Sequence, residues 1–178
     1  YGDKFQLSEG EPGKEKTLPV EHLVDFVDES KNPGNIREIS SLKVSIPNKI
    51  LARGSLFDTP GFASVYSIHD RILINNIGSA DVILFVYRPP ALQPGTEDQE
   101  LLLRFLQKTP NLILVQNEDA NTEDGERILN AVKTNFKKIN IHPMNQFRVN
   151  AKLKRDAGTA MLRTALEEIF AGQGTYLA

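Results

Sequence analysis

The sequence Asp58-Thr59-Pro60-Gly61, in the first third of the chain, combines residue types suited to handling phosphate. An aspartate can hold the water shell of Mg²⁺, and a glycine lets its backbone N–H approach a phosphate oxygen without interference from a Cβ atom. The tetrapeptide follows an apolar segment, and ligands of parallel-sheet proteins bind where strands end. An ordinary turn that begins with aspartate and contains proline fits the same residues. The tetrapeptide alone leaves both interpretations open.

Three apolar segments after this point lack the alternation of a half-buried strand. They cover residues 82–86, 112–115 and 147–149. Strands of this kind are typical of a parallel sheet that is buried on both faces. The sequence therefore predicts an α/β fold in its second part.

Helices are predicted between and after these strands. Thr96-Glu97-Asp98-Gln99 has the form of a capping box and is followed by apolar residues at helical spacing. A second helix carries apolar residues from 128 to 136, with Asn121 or Thr122 placed to cap it. A third carries apolar residues from 161 to 169. The alternation of strands and helices supports the parallel sheet.

The first part of the chain has a different pattern. Residues 8–17 are polar and rich in turn formers, which favours an exposed loop. A short amphipathic helix is predicted from Val20 to Val27. Segments 42–46 and 50–57 are predicted to be strands, antiparallel to each other, with the second leading directly into Asp58.

Composition excludes several classes of protein. The 178 residues include 21 basic and 23 acidic side chains, a net charge of −2, so no overall positive field attracts nucleic acid. Without cysteine, the chain has no disulfide and no thiolate chemistry, which is compatible with the cytoplasm. Its longest apolar run, residues 82–87, is too short to span a membrane. The chain opens on Tyr1 without a leader, and we expect the natural N-terminus to lie upstream.

The order of these features resembles the nucleotide-binding domain of GTPases. Asp58-Thr59-Pro60-Gly61 resembles the third GTPase motif, the segment from Gln116 to Asp119 falls where the guanine-reading motif belongs, and Asn150-Ala151-Lys152 falls where the Ser-Ala-Lys motif belongs. Within that superfamily the chain is most similar to bacterial dynamin-like proteins. The stretch 46–62 and the opening Tyr1-Gly2-Asp3 carry this second resemblance. It implies a P-loop-NTPase-like three-layer α/β/α G domain with a mostly parallel sheet.

The resemblance also implies roles for residues at the base of a bound nucleotide. Asp119 would accept two N–H groups from the guanine edge, which adenine does not present. Gln116 and Asn117 stand where the family has Asn or Thr and Lys, and a polar loop between strand and helix fits the same residues. Backbone N–H groups of Asn150, Ala151 and Lys152 would contact the guanine oxygen.

At the phosphates, the resemblance implies GTP hydrolysis with Mg²⁺ as cofactor. Asp58 would organise the metal through water, and Thr59 and Gly61 would lie at the γ-phosphate. The chain contains no G-x-x-x-x-G-K-[ST] sequence, so the phosphate loop, the first strand and switch I are expected upstream. Residues 1–178 are then one partial G domain.

The resemblance further implies dimerisation through the nucleotide face and membrane remodelling by regions outside this chain. The protein would be located in the cytoplasm, or at the membrane surface as a peripheral protein. It would have no nucleic-acid partner. Two alternatives stay open: a G-like interaction module that has lost nucleotide binding, and an α/β protein unrelated to GTPases.

Overall fold

The computed structural model describes residues 4–9, 15–37, 39–45, 48–58, 80–91, 96–119, 122–153 and 155–172. The chain divides into two units, Tyr1–Leu56 and Phe57–Ala178. Each unit has its own three-stranded sheet, and the two sheets differ in the direction of their strands.

The first unit contains an antiparallel sheet of β1 (Lys4–Glu9), β2 (Glu15–Pro19) and β3 (Ile39–Val44), with β1 in the centre. The prediction of a loop over 8–17 is wrong at both ends, because Ser8 pairs with Glu15 across the two strands. Phe5 of β1 is buried, and its ring lies edge-on to Phe26 at 5.8 Å between centroids. Strand pairing and this aromatic contact outweigh the polar composition of the segment.

The predicted helix after β2 is confirmed as two short turns, a 3₁₀ turn over Val20–His22 and α1 over Val24–Val27. Buried Asn32 supports the following bend, since its side chain donates to the Phe26 carbonyl at 3.0 Å and accepts from the Arg37 N–H at 3.1 Å. A buried amide satisfied on both sides stabilises a local bend without a larger core.

The predicted strand over 50–57 is wrong. Lys49–Ala52 form a 3₁₀ turn, and residues 54–58 are irregular. The turn begins because the Asn48 side chain accepts a hydrogen bond from the Ile50 N–H at 3.2 Å, which competes with an extended backbone. The antiparallel partner of β3 is β1.

The second unit confirms the parallel sheet. It consists of β4 (Ile83–Tyr87), β5 (Leu112–Asn117) and β6 (Asn145–Val149), in the order β4-β5-β6. The register sets Tyr87 beside Gln116, and Asn117 beside Val149. Residues that follow each strand therefore emerge at the same edge of the sheet.

Helices cover both faces of this sheet. On one face, Leu112 and Leu114 pack with residues of α2 (Thr96–Leu106) and α3 (Gly125–Lys138), around Phe136. On the other face, Ile113 and Val115 of β5 and residues of β6 pack against α4 (Ala157–Phe170). The alternation of side chains along a strand explains how one buried strand supplies both cores. The result is the predicted three-layer α/β/α arrangement.

The N-cap of α3 differs from the predicted one. The prediction of Asn121 or Thr122 as the cap of α3 is wrong, because the helix begins after Asp124, whose backbone is left-handed with φ of 52°. Thr122 instead bonds to Asp119. Asp156 caps α4 by accepting from the Thr159 N–H at 2.6 Å. The side chains of residues 96–98, the predicted capping box of α2, lie outside the described part.

Candidate functional site

Two loops meet at the carboxyl edge of the parallel sheet. The Glu118 N–H donates to the Val149 carbonyl at 2.7 Å, so that pairing between β5 and β6 continues into the loops. The Asn117 side-chain oxygen then accepts from the Ala151 N–H at 3.3 Å. The two segments that sequence analysis assigned to the base of a nucleotide therefore lie side by side.

Asp119 is positioned by Thr122. The Asp119 N–H donates to the Thr122 hydroxyl at 3.0 Å, and the Thr122 N–H donates to the Asp119 carbonyl at 3.1 Å. The Asp119 carboxylate is one-quarter exposed and forms an ion pair with the guanidinium of Arg88, which follows β4. The carboxylate is thus fixed at the edge of the sheet with a cation already bound to it.

The backbone N–H groups of the second loop also have acceptors within the protein. Ala151 donates to Asn117, and Lys152 donates to the Asn150 side chain at 3.2 Å. The side chains of Ala151 and Lys152 are exposed. A ligand oxygen at this loop would have to replace one of these two amide oxygens as the acceptor.

Gln116 lies beneath this surface and is fully buried. Its oxygen accepts from the Tyr87 hydroxyl at 2.8 Å, and its nitrogen donates to the Glu118 carboxylate at 2.6 Å and to the Gly125 carbonyl at 2.8 Å. These hydrogen bonds connect Gln116 of β5 to Tyr87 of β4 and to Gly125 at the start of α3. Its contribution to a ligand on the surface would be to position the loop above it.

Glu118 and Arg148 extend the network to β6. The Arg148 guanidinium donates to Glu118 through Nε at 2.6 Å and through Nη2 at 3.1 Å, and to Glu126 at 3.2 Å. The hydrogen bond from Arg148 holds the pKa of Glu118 below its usual value, and the same pair raises the pKa of Arg148. Burial, together with the charge of Glu118, raises the pKa of Tyr87 above its ordinary value.

This arrangement makes the stability of the protein sensitive to acid. The pKa of Glu118 is lower in the folded protein than in the unfolded chain, where it is about 4.3. The ionised side chain therefore adds its full contribution to the free energy of unfolding above the unfolded pKa. That contribution is lost as the pH falls through the folded pKa. In urea unfolding, we expect the difference between wild type and Glu118→Gln to shrink as the pH decreases from about 5 to 3. Glu168→Gln, an exposed change on α4, serves as the control and should show no such convergence. A constant difference at all these pH values would contradict the prediction.

The predicted phosphate-side residues are described only in part. Asp58 is exposed and follows an irregular segment, and Thr59 and Gly61 lie outside the described residues. Within the described ranges, no group of three or more His, Asp or Glu side chains is arranged to hold a metal ion. In the same ranges, no helix is long and apolar enough to cross a membrane.

The roles of Arg88, Thr122 and Arg148 at this site are not evident from the sequence patterns. Arg88 and Asp119 are 31 positions apart, and the ion pair between them arises from the parallel register of β4 and β5. Pro89 and Pro90, directly after Arg88, were the available signal, because consecutive prolines end a strand. A charged residue at the end of a buried parallel strand belongs to the edge where ligands bind.

The fold is a mixed α/β arrangement of the P-loop-NTPase-like class, as its sheet and helices indicate and as comparison with solved structures supports. A solved structure described as an oligomerised bacterial dynamin pair, with a mechanism for the long-range sensing and tethering of membranes, is similar with a TM-score of 0.60. The identity is 16%, and the match covers 96% of this chain and 29% of that chain. This chain and the matched part of that protein therefore share a fold.

Sequence comparison adds a relative of unknown role. It is described as an uncharacterized protein in the xynA 3' region of Caldicellulosiruptor sp. (strain Rt8B.4), and is 27% identical in an alignment of 173 residues that covers 90% of this chain. This chain spans 42% of that relative's length. No protein-family model matches the sequence.

Proposed function

We propose that residues 1–178 are part of the G domain of a bacterial dynamin-like GTPase. One observation carries the proposal: Asp119, fixed by Thr122, lies at the carboxyl edge of a parallel sheet, beside a second loop that Asn117 attaches through Ala151. Ligands of open α/β sheets bind at this edge. The similarity in fold to a bacterial dynamin supports the same assignment.

Guanine fits the donor and acceptor set at this edge. The Asp119 carboxylate accepts the two adjacent N–H groups of guanine, and adenine lacks this pair of donors. Asn150 and Lys152 border the same surface and give the base its lateral contacts, with one backbone N–H exchanging its asparagine acceptor for the guanine oxygen. GTP and GDP are therefore the proposed ligands.

Hydrolysis would take place on the side of Asp58, Thr59 and Gly61. Mg²⁺, when bound, supplies positive charge that offsets the charge developing on the phosphates. Asp58 would accept hydrogen bonds from the water shell of that ion, and the Gly61 N–H would donate toward the γ-phosphate. Thr59 lies between them in sequence and would lie at the same phosphate. Attack of a positioned water on the γ-phosphate completes the proposed reaction.

The proposed partners follow from the same assignment. The neighbour in fold is described as an oligomerised pair that senses and tethers membranes. For this protein we propose dimerisation through the nucleotide face and contact with a lipid membrane through regions outside the chain. The protein would be cytoplasmic or peripheral at the membrane.

The test is Asp119→Asn in the natural full-length protein. Asparagine keeps one acceptor oxygen and loses one of the two charge-assisted hydrogen bonds, so GDP binding should weaken about 100-fold, because a hydrogen bond to a charged group contributes about 1.5–3 kcal/mol. Xanthosine diphosphate should gain affinity, since the asparagine amide donates to its additional carbonyl. Isothermal titration with GDP, ADP and xanthosine diphosphate measures all three affinities.

Glu123→Gln provides the matched control, because it removes an exposed carboxylate from the same loop. Its affinity for GDP should equal that of wild type. Retention of the wild-type preference for GDP over ADP in Asp119→Asn would refute the assignment of Asp119 as the residue that reads the base.

A second candidate function is a nucleotide-free interaction module. The ion pair between Arg88 and Asp119 favours it, because the carboxylate that would read guanine already has a cationic partner. The internal bonding of Gln116 agrees with either function. Absence of GDP binding by the full-length wild-type protein, with Mg²⁺ present, would favour the module over the GTPase.

A further inference from the structure

Arg88 is placed beside the candidate base site by the backbone. It directly follows Tyr87, which is in register with Gln116, and the Ala91 N–H donates to the Arg88 carbonyl at 3.2 Å in the turn that ends β4. The main chain of Arg88 is thus fixed at the edge of the sheet. Its guanidinium reaches Asp119, which follows β5.

The two members of this ion pair differ in their freedom to move. The Arg88 side chain is 66% exposed, whereas the Asp119 side chain is 25% exposed. Thr122 bonds to both the N–H and the carbonyl of Asp119, so the loop keeps its position without Arg88. Removal of the guanidinium therefore takes one donor away from the carboxylate and does not displace the loop.

We propose that Arg88 competes with the guanine base for Asp119, an inference that rests on the proposed function. In the absence of nucleotide, the guanidinium donates to the carboxylate oxygen that the base requires. Guanine replaces those donors with its own N–H groups, and Arg88 moves into solvent, where an arginine side chain is well hydrated. Arg88 thereby lowers the affinity for guanine nucleotides and keeps the empty site neutral.

The size of the effect follows from the exposure of the pair. Exposed ion pairs contribute little, because water and salt screen them. We expect Arg88→Ala to bind GDP about two- to fivefold more tightly than wild type at low salt. The gain should decrease as the salt concentration rises, because salt weakens the pair in the wild-type protein.

Arg127→Ala is the matched control for charge. Arg127 is an exposed arginine of the same unit, and it pairs with Asp124 at 3.3 Å. Loss of a positive charge by itself reduces attraction for the phosphates of GDP, so Arg127→Ala should bind GDP no more tightly than wild type. An increase in affinity that is confined to Arg88→Ala isolates the competition at Asp119.

The experiment is isothermal titration of GDP into the full-length protein and its variants, with thermal unfolding as a check on folding. We expect tighter binding by Arg88→Ala, and no gain from that change when Asp119→Asn is already present. Unchanged or weaker binding by Arg88→Ala would overturn the inference. So would an equal gain in the Asp119→Asn background.

These outcomes separate the inference from the proposed function. If Asp119→Asn weakens GDP binding and Arg88→Ala fails to strengthen it, the role of Arg88 is refuted and the GTPase assignment stands. If neither wild type nor Arg88→Ala binds GDP, both are refuted.

Discussion

Gly158→Ala is expected to destabilise the protein by about 2 kcal/mol or more. Overpacking of a fixed structure costs about 1–3 kcal/mol and sometimes more. Gly158 lies in the first turn of α4, where a Cβ atom would overlap the backbone carbonyl oxygen of Arg148 and lie 2.7 Å from its carbonyl carbon. Both atoms belong to the main chain of β6, so neither can rotate away. The helix must therefore separate from the strand.

The sign of this effect is diagnostic, because helix propensity predicts the opposite. Replacing glycine by alanine within a helix normally stabilises it by up to about 1 kcal/mol. The control Ala160→Gly, at an exposed position of the same helix, should cost about that amount. Urea unfolding of both variants gives the comparison. A stability equal to or above wild type for Gly158→Ala would show that α4 does not contact β6 this closely.

Gln116→Glu is expected to destabilise the protein by about 3–5 kcal/mol at neutral pH, as expected for an uncompensated buried charge. The change preserves shape but removes both N–H donors, which now serve Glu118 and the Gly125 carbonyl. It also places a second carboxyl group beside Glu118 in a fully buried position. Of these hydrogen bonds, the one that the Tyr87 hydroxyl donates can still form with the glutamate.

The dependence on pH distinguishes buried charge from altered packing. Burial and the neighbouring Glu118 should raise the folded pKa of the introduced carboxyl group above its unfolded value. The variant therefore regains stability relative to wild type as the pH falls through that raised pKa, and loses it as the pH rises. Gln107→Glu, at an exposed position, should differ little from wild type at either pH. A penalty for Gln116→Glu that does not change with pH would contradict this explanation.

The sequence determined the second unit because its signals are local. An uninterrupted apolar run such as Leu112–Val115 favours a strand that is buried on both faces, and the helical spacing around Phe136 selects one face. Ranges for β5 and α4 differ from the predictions by a few residues. The core clusters contain residues that these patterns select, such as Phe136 and Ile113. Val86 and Met161, which the same patterns select, are exposed.

The first unit was less predictable because polar strands acquire their stability from partners. Residues of β1 and β2 carry many polar side chains, and cross-strand pairs such as Phe5 with Leu18 and with Val44 favour an extended backbone. The hydrogen bond from the Ile50 N–H to the Asn48 side chain favours a 3₁₀ turn over residues 49–52 in place of the predicted strand. Neither effect is visible in the spacing of apolar residues.

At the candidate site, the sequence by itself determined which residue types occupy the edge of the sheet: Asp119 after one strand and Asn150 after the next. Tertiary structure alone decided what those residues contact. The register of β4 and β5 brings Arg88 to Asp119 and Tyr87 to Gln116, although about thirty positions separate the members of each pair. Such contacts depend on the alignment of strands distant in sequence, because hydrogen bonds and ion pairs form only where the fold brings donors and acceptors within reach.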